Sequence, residues 1–230
     1  GRTGKEPETA KAAGTVRRIG MEKEKIYGVW AVRSGASIFG RAEAWCKEDG
    51  KPLEFKRNLY LVLNKPKGYV SATEDREHPT VLELVPQEYR GRDLFPAGRL
   101  DRDTTGLMII TDDGVLAHNI LAPKKHVPKR YHVELDIPVT EEMRLGFSEG
   151  VMLNDGVCKA ADLIKTGEKT AEVTLREGRY HQIKRMFGCF GAEVVELKRF
   201  GMGRLTLPED LAEGECREMS EEELALLQKK

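Results

Sequence analysis

Apolar residues along this chain follow two patterns that predict strands. Short aliphatic runs at 59–63 and 107–110 are typical of buried strands. In 131–137 apolar and polar positions alternate, which predicts a strand that buries Tyr131 and Val133 on one face. Further strands are predicted at 171–175, 194–197 and 205–207, the last two flanking the glycine-containing segment 200–203.

Helical spacing and capping residues predict the helices. Ile183, Met186 and Phe187 are spaced three and four residues apart, so we predict an amphipathic helix within 181–190 that ends before Gly191. Other helices are predicted at 80–85, at 115–121 before Pro123, at 140–147 with Thr140 as cap, and after a capping box at 220–223. Because strands and helices interleave without a regular βαβ rhythm, the pattern indicates an α+β fold.

A candidate catalytic acid lies just before the 107–110 strand. Asp101 stands between Arg99 and Arg102, whose guanidinium groups favour the ionised carboxylate. An ionised acid can act as a nucleophile or as a general base. The ordinary alternative is an acid that forms a turn or caps a helix.

Basic residues concentrate in two loops. The segment 123–130 is the most basic part of the chain and has no apolar periodicity, so we interpret it as a phosphate-binding loop rather than a solvated one. Lys65 and Lys67 flank Pro66 after the first predicted strand, where phosphate contacts and a solvated turn are equally good interpretations. From these loops we expect RNA contacts by Lys65, Lys67, Lys124, Lys125, Lys129 and Arg130.

Composition limits the other possibilities. The 230 residues have a net charge of zero, but residues 208–230 hold eight acids and three bases, so the remainder is mildly basic. No apolar run approaches the ~20 residues of a membrane helix, and no signal-peptide pattern is present, so we expect a cytoplasmic protein that does not enter a membrane. The four cysteines and five histidines form no metal-binding motif, so we expect reduced thiols and no metal.

Four ordered segments resemble one enzyme family. Residues 97–101 with 104–107 resemble the central signature of pseudouridine synthases of the RsuA/RluB/RluE/RluF family. Segments 63–69, 129–131 and 177–187 are similar to its opening strand and loop, its tyrosine motif and its third motif. The similarity extends from about residue 59 to about residue 224. It implies a pseudouridine synthase fold over 59–230, with a mixed, largely antiparallel sheet and flanking helices.

The first 58 residues are predicted to form an N-terminal arm and a possible S4-like RNA-binding domain, which this family usually carries. Segments 14–18 and 49–53 resemble parts of that domain, but its opening motif and its Val-x-Val-x-Gly strand are not visible. A degenerate S4 domain and a different module therefore both stay open.

The resemblance also implies roles for individual residues. Asp101 would be the nucleophile or base, Tyr131 would stack on the target base and take part in proton transfer, and Lys184 would pair with Asp101. Arg185 competes with Lys184 for that pairing. Arg99 would hold the flipped nucleotide, Arg102 and Arg179 would contact phosphate, and Asp103 would support the turn. The isomerisation needs no cofactor.

The expected activity is conversion of one uridine to pseudouridine in ribosomal RNA. Segments 78–82 and 102–106 look more like the enzymes of small-subunit (16S) RNA than like those of large-subunit (23S) RNA. The alternatives are a 23S enzyme and an RNA-binding ribosome-assembly factor without catalysis, with a sugar hydrolase as a remote third. We expect a monomer that acts on ribosomal RNA or on an assembling ribosomal subunit.

Overall fold

A computed structural model describes residues 47–48, 51–52, 58–122, 125 and 127–228. The chain divides into two units, residues 1–57 and residues 58–230. In the first unit, β1 (Lys47–Glu48) and β2 (Lys51–Pro52) form an antiparallel pair. The remainder of the expected S4-like region lies outside the described residues.

The second unit is built on one large sheet. The strands of this unit are β3 (Tyr60–Lys65), β4 (Phe95–Pro96), β5 (Thr105–Thr111), β6 (Lys129–Leu135), β7 (Met152–Leu153), β8 (Gly156–Val157), β9 (Asp162–Lys165), β10 (Thr170–Leu175), β11 (Val194–Met202), β12 (Leu205–Thr206) and β13 (Cys216–Glu218). Strands β7 and β8 form a separate hairpin, and the others belong to the sheet. Among the described residues, the sheet has nine strands in the order β13-β3-β5-β11-β6-β10-β9, with β4 beside β5 and β12 beside β11. Only β5 and β11 pair in parallel within that described sheet, which confirms the mixed, largely antiparallel prediction.

Four α-helices of the described chain flank the sheet: α1 (Gly114–Leu121), α2 (Glu141–Glu149), α3 (Gln182–Gly188) and α4 (Glu221–Gln228). The predicted caps are present, because the Thr140 hydroxyl accepts from the Met143 amide and Ser220 exchanges hydrogen bonds with Glu223. The predicted helix at 80–85 is a short 3₁₀ helix, Val81–Leu84. No helix of the described chain is both long enough and apolar enough to cross a membrane.

Both faces of the sheet are covered, which explains the uninterrupted apolar run in β5. Met108 and Ile110 pack into one core with residues of α2 and α3. Leu107 and Ile109, which point to the other face, pack into a second core with residues of α1 and α4. The central strands are therefore held from two sides, and their ends are rigid supports for loops.

The structure corrects the prediction that a strand at 194–197 ends before the glycine-containing segment. Strand β11 continues to Met202, and its register with β6 shifts between Arg199 and Gly201, where Phe200 is the extra residue of a bulge. The continuation matters for function because it brings Arg199 opposite Tyr131 on β6. The β7–β8 hairpin, β9 and β13 were not predicted, since each is short or lacks a clear alternation.

Candidate active site

A cleft of about 560 Å³ opens where the loops after several strands meet. Its walls come from the Asp101 loop (residues 98–104), the start of β6, the segment 175–184 that leads into α3, and the middle of β11. The predicted residues Asp101, Tyr131 and Lys184 all line this one cleft, together with Arg99, Arg102, Lys129 and Arg179. Four segments that are distant in sequence therefore converge on the candidate acid.

A buried lysine holds the Asp101 loop. Lys65 is fully buried, and its ammonium donates hydrogen bonds to the carbonyl oxygens of Pro66, Asp101, Arg102 and Thr104 at 2.8–3.2 Å. Burial lowers the pKa of Lys65 to about 8, against the raising effect of the Asp103 and Asp101 charges. The structure corrects the expectation that Lys65 contacts RNA phosphate, because its ammonium is sealed inside and bonded to the loop backbone.

Gly106 lets the two central strands approach each other behind this loop. Its φ is +99°, and a Cβ at this position would lie 2.2 Å from the carbonyl oxygen of Arg199. Any larger residue would push β5 away from β11, which explains sterically why the central motif has glycine at position 106.

Asp101 has two basic neighbours from the third motif. The distance from its Oδ1 to His181 Nε2 is 3.3 Å, and the distance from its Oδ2 to Lys184 Nζ is 3.8 Å. The Asp101 side chain remains 28% exposed, so it is open to the cleft. A carboxylate in this setting is held by two basic neighbours and can still reach a bound nucleoside.

Lys184 lies between two carboxylates, and the shorter contact is not to Asp101. Its Nζ is 2.6 Å from both oxygens of Asp103. Burial raises the pKa of Asp103, but the hydrogen bond and the charge of Lys184 outweigh it and lower that pKa below its ordinary value. Asp103 therefore does more than support a turn, because it holds the ammonium beside Asp101.

His181 was missed by the sequence analysis. It precedes α3 with a φ of 46°, the only positive φ at a non-glycine residue in the described chain. Its ring stacks on Tyr180 with centroids 3.8 Å apart, and the Tyr180 side chain is 72% exposed. The signal for His181 was its place inside the third motif, whereas its contact with Asp101 depends on backbone geometry that no pattern reveals.

The cleft floor consists of Lys129, Tyr131 and Arg199. Tyr131 is 8% exposed, and Arg199, its cross-strand partner on β11, is 1% exposed. Arg199 Nε donates to the carbonyl oxygen of Leu107 at 2.7 Å, and its Nη2 is buried without a hydrogen-bond partner. Burial lowers the pKa of Arg199, and the neighbouring Tyr131 opposes that shift. Sequence analysis did not identify Arg199, because its strand was predicted to end at residue 197.

Other predicted RNA-contacting residues are held in varied ways. Arg185 pairs with Asp155 at 2.6 Å, so it does not compete with Lys184 for Asp101. Lys67 pairs with Glu196. The Arg179 guanidinium donates to the Gly156 carbonyl at 2.9 Å, and Arg130 lies over the Phe200 ring. Arg102 is exposed beside His78 and Lys125 is also exposed, whereas Lys124 lies outside the described residues.

Comparisons with known proteins agree on a family. A family profile described as RNA pseudouridylate synthase matches residues 59–188, which is more than half of the chain. An uncharacterized RNA pseudouridine synthase of Bacillus subtilis is 46% identical over 183 residues, covering 77% of each protein. The ribosomal small subunit pseudouridine synthase A of Escherichia coli is 45% identical over 180 residues, covering 77% of this chain and 78% of its own length. A pseudouridylate synthase crystal structure, 40% identical, superposes with a TM-score of 0.71 over 75% of each chain.

Proposed function

Because this chain belongs to the RNA pseudouridine synthase family, we propose that it isomerises one uridine of small-subunit ribosomal RNA to pseudouridine. The observation that carries the proposal is the partly exposed Asp101 carboxylate. It lies in the cleft beside Lys184 and His181, and Tyr131 lies at the cleft floor. The choice of RNA is supported by relatives of Salmonella typhimurium and Escherichia coli, both named for the small subunit and 45–46% identical.

Asp101 starts the reaction on the sugar side of the target nucleoside. Its carboxylate either attacks C1′ or removes a proton from the ribose, and the bond from C1′ to N1 breaks with its electron pair on the base. The freed uracil turns and forms a bond from C5 to C1′, while the bond from Asp101 to C1′ breaks or, on the second route, Asp101 returns the proton to the ribose. C5 then loses its proton, and N1 gains one. Product and substrate have the same atoms, so no oxidant or second substrate is required.

Lys184 acts as a positioning charge for Asp101. Its ammonium is held by Asp103 and stays within 3.8 Å of the catalytic carboxylate, which favours the ionised acid. His181 supplies a second basic neighbour at 3.3 Å. Two independent contacts thus orient both carboxylate oxygens before the nucleoside binds.

Tyr131 and apolar side chains confine the base. The aromatic ring offers a stacking surface for an extruded pyrimidine, and Leu100, Ile183 and Leu197 line the same cleft. A largely dry cavity keeps the freed base from escaping before it rejoins the sugar. Arg99, Arg102 and Arg179, which line the cleft, would bind backbone phosphates, and we propose the same role for Lys67, Lys124 and Lys125 from their place in the sequence.

The decisive experiment maps pseudouridine in ribosomal RNA. Cells that lack this protein should lose one modification in 16S RNA, and the wild-type gene should restore it while Asp101→Asn should not. Loss of a 23S modification instead would favour the large-subunit alternative. Unchanged maps in both RNAs would favour an assembly factor without catalysis, and release of free uracil in vitro would indicate a hydrolase. Acting on ribosomal RNA also implies a cytoplasmic location, and a sedimentation measurement would test the expected monomer.

A further inference from the structure

Two cations at the cleft floor have no acid to balance them. In the part of the chain that the structure describes, neither Arg199 nor Lys129 pairs with a carboxylate. Tyr131 forms a side-chain hydrogen bond with Arg199, and the Arg199 charge lowers the pKa of both Lys129 and Lys65. A buried unpaired cation is costly to a fold. The arrangement is stable only because the sheet holds both side chains in place.

The partners of these cations differ from those of a purely structural lysine. Lys65, in the same region, bonds to four backbone carbonyls. The Lys129 ammonium instead reaches only the Val127 carbonyl, at 3.4 Å, and Arg199 uses Nε for the Leu107 carbonyl while its buried Nη2 has no partner. Both side chains line the cleft with Tyr131, so their charges lie beside the space that the base would occupy.

We propose that Arg199 and Lys129 form an anion site for the uracil base while it is detached from the ribose. The inference rests on the proposed function, because only that reaction breaks the bond from C1′ to N1. The electron pair stays on the base, which then carries a negative charge shared by N1 and its carbonyl oxygens. The charge persists until that electron pair forms the bond from C5 to C1′, so the site acts between cleavage of the C1′–N1 bond and formation of the C1′–C5 bond.

Two fixed cations suit this task better than water does. Their orientation is set by β6 and β11 before the charge appears, so little reorganisation is needed during the reaction. The Asp101 loop thus acts on the sugar, and the cleft floor stabilises the base that leaves it.

The test compares two leaving groups in two variants. Arg199→Met and Lys129→Met remove one charge each with similar side-chain length, and each is assayed in single turnover with ribosomal RNA that carries uridine or 5-fluorouridine at the target. Fluorine withdraws electron density, so 5-fluorouracil is a more stable anion and needs less help. Disappearance of the target nucleoside is measured by chromatography of nuclease digests.

With uridine, Arg199→Met should lower the rate by about 10²-fold and Lys129→Met by about tenfold. With 5-fluorouridine the loss in Arg199→Met should be about tenfold smaller, and Arg199→Lys should recover part of the uridine rate. Equal losses on both substrates in both variants would overturn the anion site. If circular dichroism shows that Arg199→Met does not fold, the same comparison in Lys129→Met decides the question.

A remote substitution and the wild type complete the design. Arg144→Met removes an exposed cation paired with Glu141 on α2 and should leave both rates unchanged. A wild-type protein that forms no pseudouridine in ribosomal RNA overturns the proposed function itself. An active wild type with equal losses in the variants overturns only the anion site.

Discussion

The two sides of the cleft differ in the sign of their charge and in whether that charge has a partner. The Asp101 loop carries acids that have basic partners, since Lys184 contacts Asp103 and His181 contacts Asp101. The cleft floor carries Lys129 and Arg199, which no carboxylate of the described chain balances. The proposed reaction first uses a carboxylate and then creates a negatively charged base. It therefore needs an acid whose charge has a partner before the substrate binds, and cations whose charge is balanced only by the detached base.

The two sides also differ in how their backbone is supported. Tyr131 and Arg199 lie opposite each other within paired strands, so the hydrogen-bond ladder positions them. Asp101 lies in a loop, and the Lys65 ammonium supplies the order that a ladder would give. The loop is therefore the part of the site that one substitution can loosen.

Removing the charge of Asp101 should have the largest effect. Asp101→Asn keeps the size of the side chain but cannot attack the sugar or accept its proton, so we expect a loss of at least about 10⁴-fold in single-turnover rate. RNA affinity should stay within a few-fold, measured by filter binding. A variant that still forms pseudouridine at a tenth of the wild-type rate would remove Asp101 from its assigned role.

Removing the loop anchor should come next. Lys65→Met removes the ammonium donor of four carbonyls, of which those of Asp101 and Arg102 still accept from a backbone amide. We expect the free energy of unfolding to fall by about 2–4 kcal/mol in urea denaturation. The matched control is Lys67→Met, two residues away and exposed, which should leave the urea midpoint unchanged. Equal midpoints for the two variants would show that the loop does not depend on Lys65.

Changing Lys184, or its carboxylate partner Asp103, should lower the single-turnover rate by less than changing Asp101 does. Lys184→Met should lower the single-turnover rate by about 10²-fold with little change in RNA affinity, because it removes a cation beside Asp101. Asp103→Asn should lose less than tenfold, since Lys184 can still turn to Asp101. If Asp103→Asn is the more damaging change, Asp103 has a direct part in the reaction.

The smallest effect is the pH dependence of stability from Lys129. Burial, and then the Arg199 charge, lower the pKa of Lys129 to about 8. Below pH 8 the lysine is charged in both the folded and the unfolded state, and the burial cost is present in full. Above pH 8 the folded state loses its proton first, while an unfolded lysine keeps its proton to about pH 10.4. The unfolded state then binds more protons, so folding stability rises with pH.

Wild type should therefore gain about 1 kcal/mol relative to Lys129→Met between pH 7 and 9, after allowance for solvent screening. Urea denaturation at each pH measures the difference, and other titrating groups cancel because both proteins contain them. Lys198→Met, on the exposed side of β11, is the control and should show no such trend. A flat difference for Lys129→Met would place its ammonium in solvent.

Local pattern was sufficient for most elements of the catalytic unit. The strand at Lys129–Leu135 follows from strict alternation, and the helix at Glu141–Glu149 follows from the Thr140 cap and Gly150. These features depend on neighbours within a few residues, so they are readable without the fold. The predicted β11 was too short because Gly201 is a turn signal by itself, and only its pairing with Arg130 on β6 shows that the strand continues through it.

The amino-acid sequence alone determined the family and the order of the motifs, and it singled out Asp101, Tyr131 and Lys184 as candidate site residues, because short segments with specific chemistry carry that information. The tertiary structure decided what Lys65, Asp103, His181 and Arg199 do. Each of these contacts joins residues far apart in the chain, and whether a lysine or arginine faces RNA, a carbonyl or the detached base depends on burial that only packing creates.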